Sequence, residues 1–503
     1  MEAPEAELKF ELSDDMLPKL AEHPAFAAPA ETSRLRSVYF DTPAQDLWHA
    51  CLGLRVRESD GGRVQTVKSE KAAAAVRREW EAKITGERPD AAALADSPAA
   101  KVLNGHDDEL AAVFATDVER VRRLWTRGDD VVEISLDHGE ITAGARREPI
   151  HELELELKAG DPQALFDLAA ALSGQVKLPL LFQSKAERGY QMAADSGWAP
   201  QGAEPTAIAP ETPAADAFRD IARSCLAQVA NNARLLRRYR SLEALHQMRV
   251  GLRRFRAALT TFRPMIEDGE YQRLKTETKW LAGELDAARD LDVFIHDSFR
   301  CARPRLADRE AFACLGADLL RAQSRAYDRA LAAQASPRFI DLLMTAARWL
   351  EIGDWLRSEE PVLKRLRELP TDAFASDQLD RMHRQVRKRG RRLDRMDPQR
   401  RHQLRIKAKK LRYAAEFFAG SFDRTRSTRR FLAALEDLQD GLGRLNDIVV
   451  AGELALHQVR GRPAEAGFAA GLIVADRRAS EKRSAKGALK AYEDFAAAQL
   501  FWR

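Results

Sequence analysis

Several features that define common protein classes are absent from this sequence or rare in it. Its 503 residues include only four cysteines, Cys51, Cys225, Cys301 and Cys314, and no two of them form a CxxC pair. This scarcity argues against a disulfide framework or a cysteine-ligated zinc site and favours a reducing compartment. No apolar run reaches about 18 residues, and no basic segment followed by an apolar one opens the chain, so we predict a soluble, cytoplasmic protein.

The formal net charge is only +4, but each part of the chain has fewer charged residues of one sign than of the other. Basic residues are the minority in the first part, and acidic residues are the minority in the second. Residues 1–200 hold 24 Lys and Arg against 36 Asp and Glu, whereas residues 201–503 hold 57 against 41. An acidic first part and a basic second part predict two modules with different partners. Residues 198–213 are rich in Pro, Ala and Gly, which predicts a linker between domains at 1–197 and 214–503.

The periodicity of apolar residues differs between the two predicted domains. The first reads as mainly β with helices near Ser13–Ala21, where Ser13 is the predicted N-cap, and near Asp161–Leu172. From residue 214 onward nearly every segment has the period of a long amphipathic helix, which predicts an all-α domain. The predicted strands lie near Leu35–Asp41, Leu52–Glu58, Arg63–Ser69, Arg77–Ile84, Asp117–Trp125, Asp130–Asp137 and Pro149–Lys158.

The predicted strands place charged residues on one face and apolar residues on the other. In the opening strand Glu5, Glu7 and Lys9 oppose Leu8 and Phe10. A solvated edge strand is one interpretation, but the recurrence of this pattern in blocks of one sign favours a closed sheet with inward charges and helices outside. The charged positions are Glu5, Glu7, Lys9, Arg55, Arg57, Lys68, Glu79, Glu81, Arg120, Arg122, Asp137, Glu152, Glu154 and Glu156.

A face of this composition indicates phosphate chemistry. Closely packed carboxylates repel one another and are driven toward protonation unless cations neutralise them. Divalent metals supply that charge, and Mg²⁺ characteristically binds a few carboxylates together with substrate phosphates. Arg and Lys on neighbouring strands suit a phosphate chain, because guanidinium groups make bidentate contacts. The pattern therefore predicts attack of water on a polyphosphate, assisted by Mg²⁺ or Mn²⁺.

Residues 1–195 resemble the CYTH family, also called triphosphate tunnel metalloenzymes. The residues Glu5, Glu7 and Lys9 match the ExExK signature of that family. Later segments that resemble its motifs are Tyr39–Thr42, Leu54–Arg57, Gln65–Lys68, Glu152–Leu157 and Ser184–Tyr190. The resemblance implies an antiparallel β-tunnel, and the family includes inorganic triphosphatases, thiamine triphosphatases and class IV adenylyl cyclases.

The same resemblance implies a role for each charged position. Glu79 and Glu81 are implied to position the attacking water or a second metal, and they join Glu5, Glu7 and Lys9 as catalytic candidates. The implied metal ligands are Glu5, Glu7, Glu154 and Glu156, supported by Asp137 and Glu152. The implied phosphate-binding residues are Lys9, Arg55, Arg57, Lys68, Arg120, Arg122 and Lys185.

The second region contains an internal repeat. A His-Gln-x-Arg segment at residues 246–249 returns at residues 402–405, which predicts two related helical halves at about 214–370 and 371–503. Each repeat places a His and three cations on one helical face, and recurrence in both halves favours a polyanion groove over a merely solvated surface. Asp290 and Asp447 also recur and are interpreted as structural partners. The two faces consist of His246, Arg249, Arg253 and Arg256 and of His402, Arg405, Lys409 and Arg412.

Residues 214–503 resemble the CHAD domain, whose HxxR-type repeat matches His246/Arg249 and His402/Arg405. That family is α-helical and is associated with inorganic polyphosphate, so the resemblance implies that the eight residues of the two faces bind polyphosphate. Nucleic acid is the competing polyanion, but aromatic residues that would stack on bases are sparse beside these faces.

The sequence thus predicts a multidomain protein with an N-terminal antiparallel β-tunnel, flanking helices and a C-terminal all-α domain of two pseudo-repeated halves. We expect metal-dependent hydrolysis of inorganic triphosphate or short polyphosphate, with no membrane partner and with association with polyphosphate granules as a further expectation. Two alternatives stay open: a non-catalytic polyphosphate-binding protein, and an enzyme for an organic triphosphate. The sequence predicts no particular oligomeric state.

Overall fold

The strand-rich and helical parts of the chain form separate structural units. In the computed structural model, one unit comprises Met1–Gln201 and Leu343–Ile352, and the other comprises Gly202–Leu342 and Gly353–Arg503. The structure describes residues 6–59, 61–69, 79–194, 198–204, 208–300, 309–422, 424–458 and 464–503. Glu5 and the first two positions of the strand predicted at Arg77–Ile84 lie outside the described residues.

The first unit contains one antiparallel sheet of eight strands in the order β1-β8-β7-β6-β2-β3-β4-β5. The two longest hairpins turn at Gly128 and Gly144, which have φ of +60° and +57°, a conformation that glycine adopts without steric cost. The strands are β1 (Glu7–Glu11), β2 (Glu31–Asp41), β3 (Leu52–Ser59), β4 (Gly62–Ser69), β5 (Glu79–Ile84), β6 (Ala111–Arg127), β7 (Asp130–Ala143) and β8 (Arg146–Ala159).

Helices cover the apolar face of this sheet, as the alternation predicted. Leu8, Leu153 and Leu155 pack with Leu165 and Leu168 of α5. The helix predicted at the opening of the chain is shorter than expected and the Ser13 cap is wrong, because the Ser13 hydroxyl donates to Asp15 instead. The helices are α1 (Leu17–Ala21), α2 (Asp46–His49), α3 (Ala91–Leu94), α4 (Pro98–Leu103), α5 (Pro162–Ser173) and α6 (Lys185–Ala193), with 3₁₀ turns at Pro24–Phe26 and Asp107–Glu109.

Helix α6 lies on the other, charged face of the sheet and fills one end of it. Ala186 and Tyr190 of this helix pack against Phe114, Ile141 and Ile150 of the three longest strands. The approach is close, because a Cβ on Gly189 would lie 2.1 Å from the Phe114 ring. The charged face therefore begins beyond an apolar plug, and its charged side chains are partly or wholly buried.

The second unit is helical throughout its described residues. A 3₁₀ turn follows at Leu393–Arg395 and another at Ala419–Ser421, and Phe294–Phe299 is π-helical. Residues Leu343–Ile352 of α12 belong to the first unit. The α-helices from residue 214 onward are α7 (Ala214–Tyr239), α8 (Leu242–Thr261), α9 (Arg263–Ile266), α10 (Gly269–Val293), α11 (Arg309–Gln334), α12 (Pro337–Ile352), α13 (Asp354–Arg357), α14 (Pro361–Glu368), α15 (Thr371–Gly390), α16 (Pro398–Phe418), α17 (Thr425–Gln458), α18 (Ala464–Ala479) and α19 (Glu481–Ala497).

The internal repeat is visible in the aromatic core of this unit. Phe218 and Phe262 recur 156 residues later as Phe374 and Phe418. Phe262 stacks on Phe374 with ring centroids 4.9 Å apart and contacts Phe418 at 5.6 Å. Equivalent residues of the two halves therefore meet in one buried cluster, which confirms the predicted pseudo-repeated, all-α architecture. No helix in the described part of the chain is both long and apolar enough to cross a membrane.

Candidate active site

Strand register aligns the charged positions of β1, β8 and β7. Lys9 is opposite Glu154, and Glu7 is opposite Glu156. Glu156 in turn is opposite Glu133 of β7. Because directly opposed residues on one face of a sheet are neighbours, three carboxylates from three strands form one row. Glu133 was not among the predicted site residues, although its alternation with Val132 and Ile134 is the signal that would have found it.

A second group of carboxylates lies deeper on the same face. Asp137, Glu152 and Glu154 present oxygen atoms that all lie within 4.8 Å of one another, the one such grouping of three potential metal ligands found in the described residues. Their side chains are 0%, 2% and 12% exposed. Such a cluster of oxygen donors fits a divalent cation in the chemistry of its ligands.

Two side-chain cations already contact these carboxylates. The Lys185 ammonium, at the first position of α6, lies 2.8 Å from Asp137, 2.7 Å from Glu152 and 2.8 Å from Glu154. Arg120 donates two hydrogen bonds of 2.6 Å to Asp137 and one of 2.6 Å to Glu154. In the structure, Lys185 and Arg120 thus neutralise carboxylates of the tunnel face.

These contacts set the ionisation of the cluster. Burial by itself would raise the pKa of Glu154, but the charges of Lys185, Lys9 and Arg120 outweigh it and hold this pKa well below the usual range. The pKa of Asp137 is lowered by the same balance, in which burial is opposed by Lys185 and Arg120. Both carboxylates are therefore ionised at neutral pH.

Below this cluster, Arg188 of α6 forms a buried ion pair that sequence reasoning did not single out. Its guanidinium, 2% exposed, lies 3.2 Å from Glu148 and contacts Glu152, whose side chains are 1% and 2% exposed. The sequence signal that could have identified Arg188 is its position within the Ser184–Tyr190 segment, which resembles a CYTH motif. This arginine fixes Glu152 from one side while Lys185 contacts it from the other.

The strands β3 and β4 carry the cationic side of the face, and β5 lies beside β4 with Glu79 and Glu81. Arg57 donates a hydrogen bond of 3.2 Å to the neutral Ser37 hydroxyl. Burial, and after it the charge of Arg55, lowers the pKa of Arg57 to about 10. Lys68 forms an ion pair with Glu79 of β5. A guanidinium that is buried among other cations gains stability when an anion approaches it.

The remaining predicted positions lie at the margins of this face. Glu81 accepts a hydrogen bond of 3.2 Å from Thr66. Arg122 donates to the exposed Glu31 at 2.9 Å and is itself 45% exposed. Glu7, 18% exposed, forms an ion pair with Lys9, whose ammonium lies 2.5 Å from the Oε1 atom of Glu7.

In the helical unit, the two predicted basic faces lie on α8 and α16 and converge. Arg253 of α8 donates to the Tyr413 hydroxyl of α16 at 3.3 Å. Burial, followed by the charges of Arg405, Arg253 and Arg249, lowers the pKa of Lys409 to about 7. Cations of both faces therefore act on the same lysine.

The two faces are not identical. Arg249 contacts Asp286 at 2.5 Å, whereas the equivalent Arg405 faces Gly443, whose Cβ position would be 3.7 Å from the guanidinium. Burial raises the pKa values of Asp290 and Asp447, and the charges of Arg249 and Arg405 respectively oppose that rise. The role of these two aspartates as structural partners stays a prediction.

Other members of the faces have partners of their own. His402 Nδ1 lies 2.8 Å from Asn446 Oδ1. Burial, and after it the charge of Arg289, lowers the pKa of His246 to about 4, which keeps this imidazole neutral at pH 7. Arg412 lies 3.3 Å from Glu416 and 3.0 Å from Glu436, so two carboxylates offset its charge.

Comparison with known proteins agrees with this architecture. The CYTH domain matches residues 3–190, and the CHAD domain matches residues 220–456. An inorganic triphosphatase of Haemophilus influenzae is 31% identical over 192 residues, which are 37% of this chain and 54% of that protein. The chain thus spans about half the length of this curated relative.

Two solved structures are similar to parts of this chain. The CHAD domain of the plant Ricinus communis is 31% identical, covers 61% of this chain and 99% of its own, and has a TM-score of 0.52. PptA from Streptomyces chartreusis is 20% identical, covers 56% of this chain and 100% of its own, and has a TM-score of 0.43. The fold and the charged faces define a β-tunnel domain joined to a helical domain. The chain therefore carries a CYTH domain at residues 3–190, followed by a CHAD domain at residues 220–456.

Proposed function

We propose that the CYTH domain hydrolyses inorganic triphosphate, or the end of a short polyphosphate, with a divalent metal such as Mg²⁺ or Mn²⁺. The observation that carries this proposal is the division of one buried face into a carboxylate side on β1, β8 and β7 and a cation side on β3 and β4. A triphosphate needs both, because cations bind its oxygens and carboxylates hold its metal. The name of the Haemophilus influenzae relative supports this substrate.

We assign a separate role to each group of residues on this face. Glu7, Glu154 and Glu156, with Glu5 of the same signature, would hold the metal, which would supply positive charge for the phosphate oxygens and lower the pKa of a bound water. Arg55, Arg57, Lys68 and Lys9 bind the phosphate chain. Glu81 orients the attacking water. Among the described residues, its hydrogen-bond partner is the neutral Thr66 hydroxyl.

The cations inside the carboxylate cluster have a positioning role in this proposal. Lys185 and Arg120 hold Asp137 and Glu154 ionised and fixed before substrate arrives. Pre-arranged charges of this kind lower the cost of reorganisation when charge develops in the transition state. Arg122 binds phosphate at the edge of the face. Glu79 positions Lys68 through their ion pair.

The CHAD domain binds polyphosphate in this proposal. The convergence of α8 and α16 supports it, because burial and mutual repulsion also lower the pKa values of Arg249 and Arg405. A linear polyanion relieves this repulsion along its whole length, and its affinity falls steeply with salt. Binding of polyphosphate would place the protein at polyphosphate granules.

The experiment that tests the enzymatic proposal is a substrate comparison. Phosphate release from inorganic triphosphate, ATP and thiamine triphosphate is measured with and without Mg²⁺ or Mn²⁺. We expect metal-dependent release that is fastest with inorganic triphosphate. Preference for ATP or thiamine triphosphate would make the protein an organic triphosphate enzyme, and no turnover with intact polyphosphate binding would make it a non-catalytic binding protein.

Polyphosphate binding is expected to weaken as pH rises above about 7, because of Lys409. Burial, followed by the charges of Arg405, Arg253 and Arg249, lowers the pKa of Lys409, Asp447 opposes this effect, and a bound polyanion raises the pKa. Lys409 is thus protonated in the free protein below its pKa there. Between its pKa in the free protein and its higher pKa in the complex, polyphosphate binding is coupled to the uptake of a proton by Lys409. The affinity then falls by up to about tenfold per pH unit.

The matched variant for this prediction is Lys409→Arg, which keeps the cation but does not titrate in this range. Polyphosphate affinity is measured at about pH 7.5 and 8.5 at constant ionic strength. We expect the variant to show a shallower pH dependence than the wild type. Equal slopes in the two proteins would contradict the assignment to Lys409.

A further inference from the structure

A cavity of about 300 Å³ lies beside the basic faces of the CHAD domain. It opens between α15 and α16, and Thr260 of α8 lines one side. Four of its lining residues are cations, and none of the described residues that line it is a carboxylate. The lining residues are Thr260, Arg381, Met382, Gln385, Arg389, Gln403, Ile406, Lys407 and Lys410.

The cations of the cavity contact neutral oxygen atoms. The Lys407 ammonium donates to Gln385 at 2.7 Å, and the Lys410 ammonium donates to the Thr260 hydroxyl at 3.2 Å. Arg389 donates to Gln403 at 3.2 Å. Amide and hydroxyl oxygens satisfy donors but do not neutralise charge. The cavity thus holds an excess of positive charge in a partly enclosed space.

This cavity lies on a different side of α16 from the predicted polyphosphate face. Gln403, Lys407 and Lys410 follow one helical row, whereas Arg405 and Lys409 follow another about a third of a turn away. Burial, and after it the charges of Arg389 and Arg381, lowers the pKa of Lys407. The same effect of burial, followed by Arg256 and Lys407, lowers the pKa of Lys410.

The corresponding interface in the other half of the repeat is closely packed. At the offset of 156 residues, Lys407 corresponds to Gly251 and Arg381 corresponds to Cys225. A Cβ on Gly251 would lie 3.1 Å from the Cys225 carbonyl oxygen, so the two helices of that half pack too closely for a ligand. The second half has opened this interface with two long cationic side chains.

The remaining cation differs in its partner. Lys410 corresponds to Arg254, and Thr260 corresponds to Glu416. Arg254 is 5% exposed and lies 3.6 Å from Glu416, so a carboxylate balances it. Thr260 provides no such charge to Lys410. The pseudo-symmetric site is therefore neutral and closed, while this one is cationic and open.

We propose that this cavity is a separate binding site for a compact phosphate anion of the size of pyrophosphate or triphosphate. Four cations match the charge of such an anion, and a volume of about 300 Å³ accommodates it. This inference goes beyond the proposed function, because the site is distinct from both the tunnel and the repeated faces, and it does not require turnover.

The test introduces into the cavity the carboxylate that the pseudo-symmetric site has. Thr260→Glu places a carboxylate beside Lys410, where Glu416 stands beside Arg254, without removing any cation. Pyrophosphate binding is measured by calorimetry without metal, in full-length protein carrying Arg55→Gln and Arg57→Gln to suppress binding in the tunnel. We expect Thr260→Glu to weaken pyrophosphate binding at least about tenfold, which corresponds to about 1.4 kcal/mol.

Two further variants and two further ligands keep the result unambiguous. Lys407→Gln should weaken pyrophosphate binding as well, whereas Lys364→Gln on the exposed α14 should not. Long-chain polyphosphate should bind Thr260→Glu with unchanged affinity. Unchanged pyrophosphate binding by Thr260→Glu and Lys407→Gln would overturn the proposal. If Thr260→Glu weakens long-chain polyphosphate binding as much as pyrophosphate binding, the cavity is part of the polyphosphate site rather than a separate one. If citrate binds the cavity as tightly as pyrophosphate does, the assignment to phosphate is wrong.

Discussion

Glu7→Gln is expected to lower metal-dependent phosphate release from inorganic triphosphate about 100-fold or more, the size of effect seen when one pre-arranged charge-stabilising group is removed. Glu7 lies opposite Glu156, and the Lys9 ammonium lies 2.5 Å from its Oε1 atom. A glutamine keeps the shape but contributes no negative charge to a cation. The variant should therefore also need more Mg²⁺ or Mn²⁺ to reach half of its own maximal rate.

The matched control is Glu109→Gln, which removes a carboxylate from the same domain at a side chain that is 53% exposed and contacts only His106 among its described ion pairs. Its rate and metal requirement should equal those of the wild type. If Glu7→Gln retains full activity with an unchanged metal requirement, the metal is not held by the β1 signature. If it loses activity with an unchanged metal requirement, Glu7 acts on substrate or water.

Arg188→Met is expected to lower the free energy of unfolding of the CYTH domain by about 3–5 kcal/mol, the range measured when one partner of a buried ion pair is removed. Glu148 and Glu152 would remain buried at 1% and 2% exposure without this guanidinium. Methionine fills a similar volume, so the loss reflects charge rather than a cavity. Denaturant unfolding followed by circular dichroism and fluorescence provides the measurement.

Arg127→Met provides the control for stability. Arg127 also contacts two carboxylates, Asp130 at 3.4 Å and Asp167 at 3.0 Å, but its side chain is 49% exposed. Water screens such pairs, so the removal of Arg127 should lower the free energy of unfolding far less than the removal of Arg188. Similar losses for the two variants would mean that burial does not amplify the Arg188 contacts. Because the protein has two domains, the transitions are compared by their midpoints rather than by a single two-state fit.

Much of the fold followed from local patterns. Alternation of charged and apolar residues predicted the strands that became β2 to β8 and the face that each side chain occupies, because side-chain direction in a strand depends only on position. The ends were less predictable: β6 and β7 extend to Ala111 and Ala143, since long hairpins continue pairing wherever the neighbouring strand offers hydrogen bonds. Helix α6 was missed because its nine residues are too short for a clear periodicity.

The sequence by itself determined which residues share a face, which domain is acidic or basic, and where the helical half repeats. Only the tertiary structure decided which opposite charges meet. Lys185 reaches Asp137 and Glu152 from a helix, and Arg188 reaches Glu148, so these pairs depend on how α6 packs on the sheet. Such contacts join residues far apart in the chain, and their energies depend on burial, which no local pattern encodes. For the same reason, two repeated helices with one ancestral pattern enclose a cationic cavity in one half and a closed interface in the other.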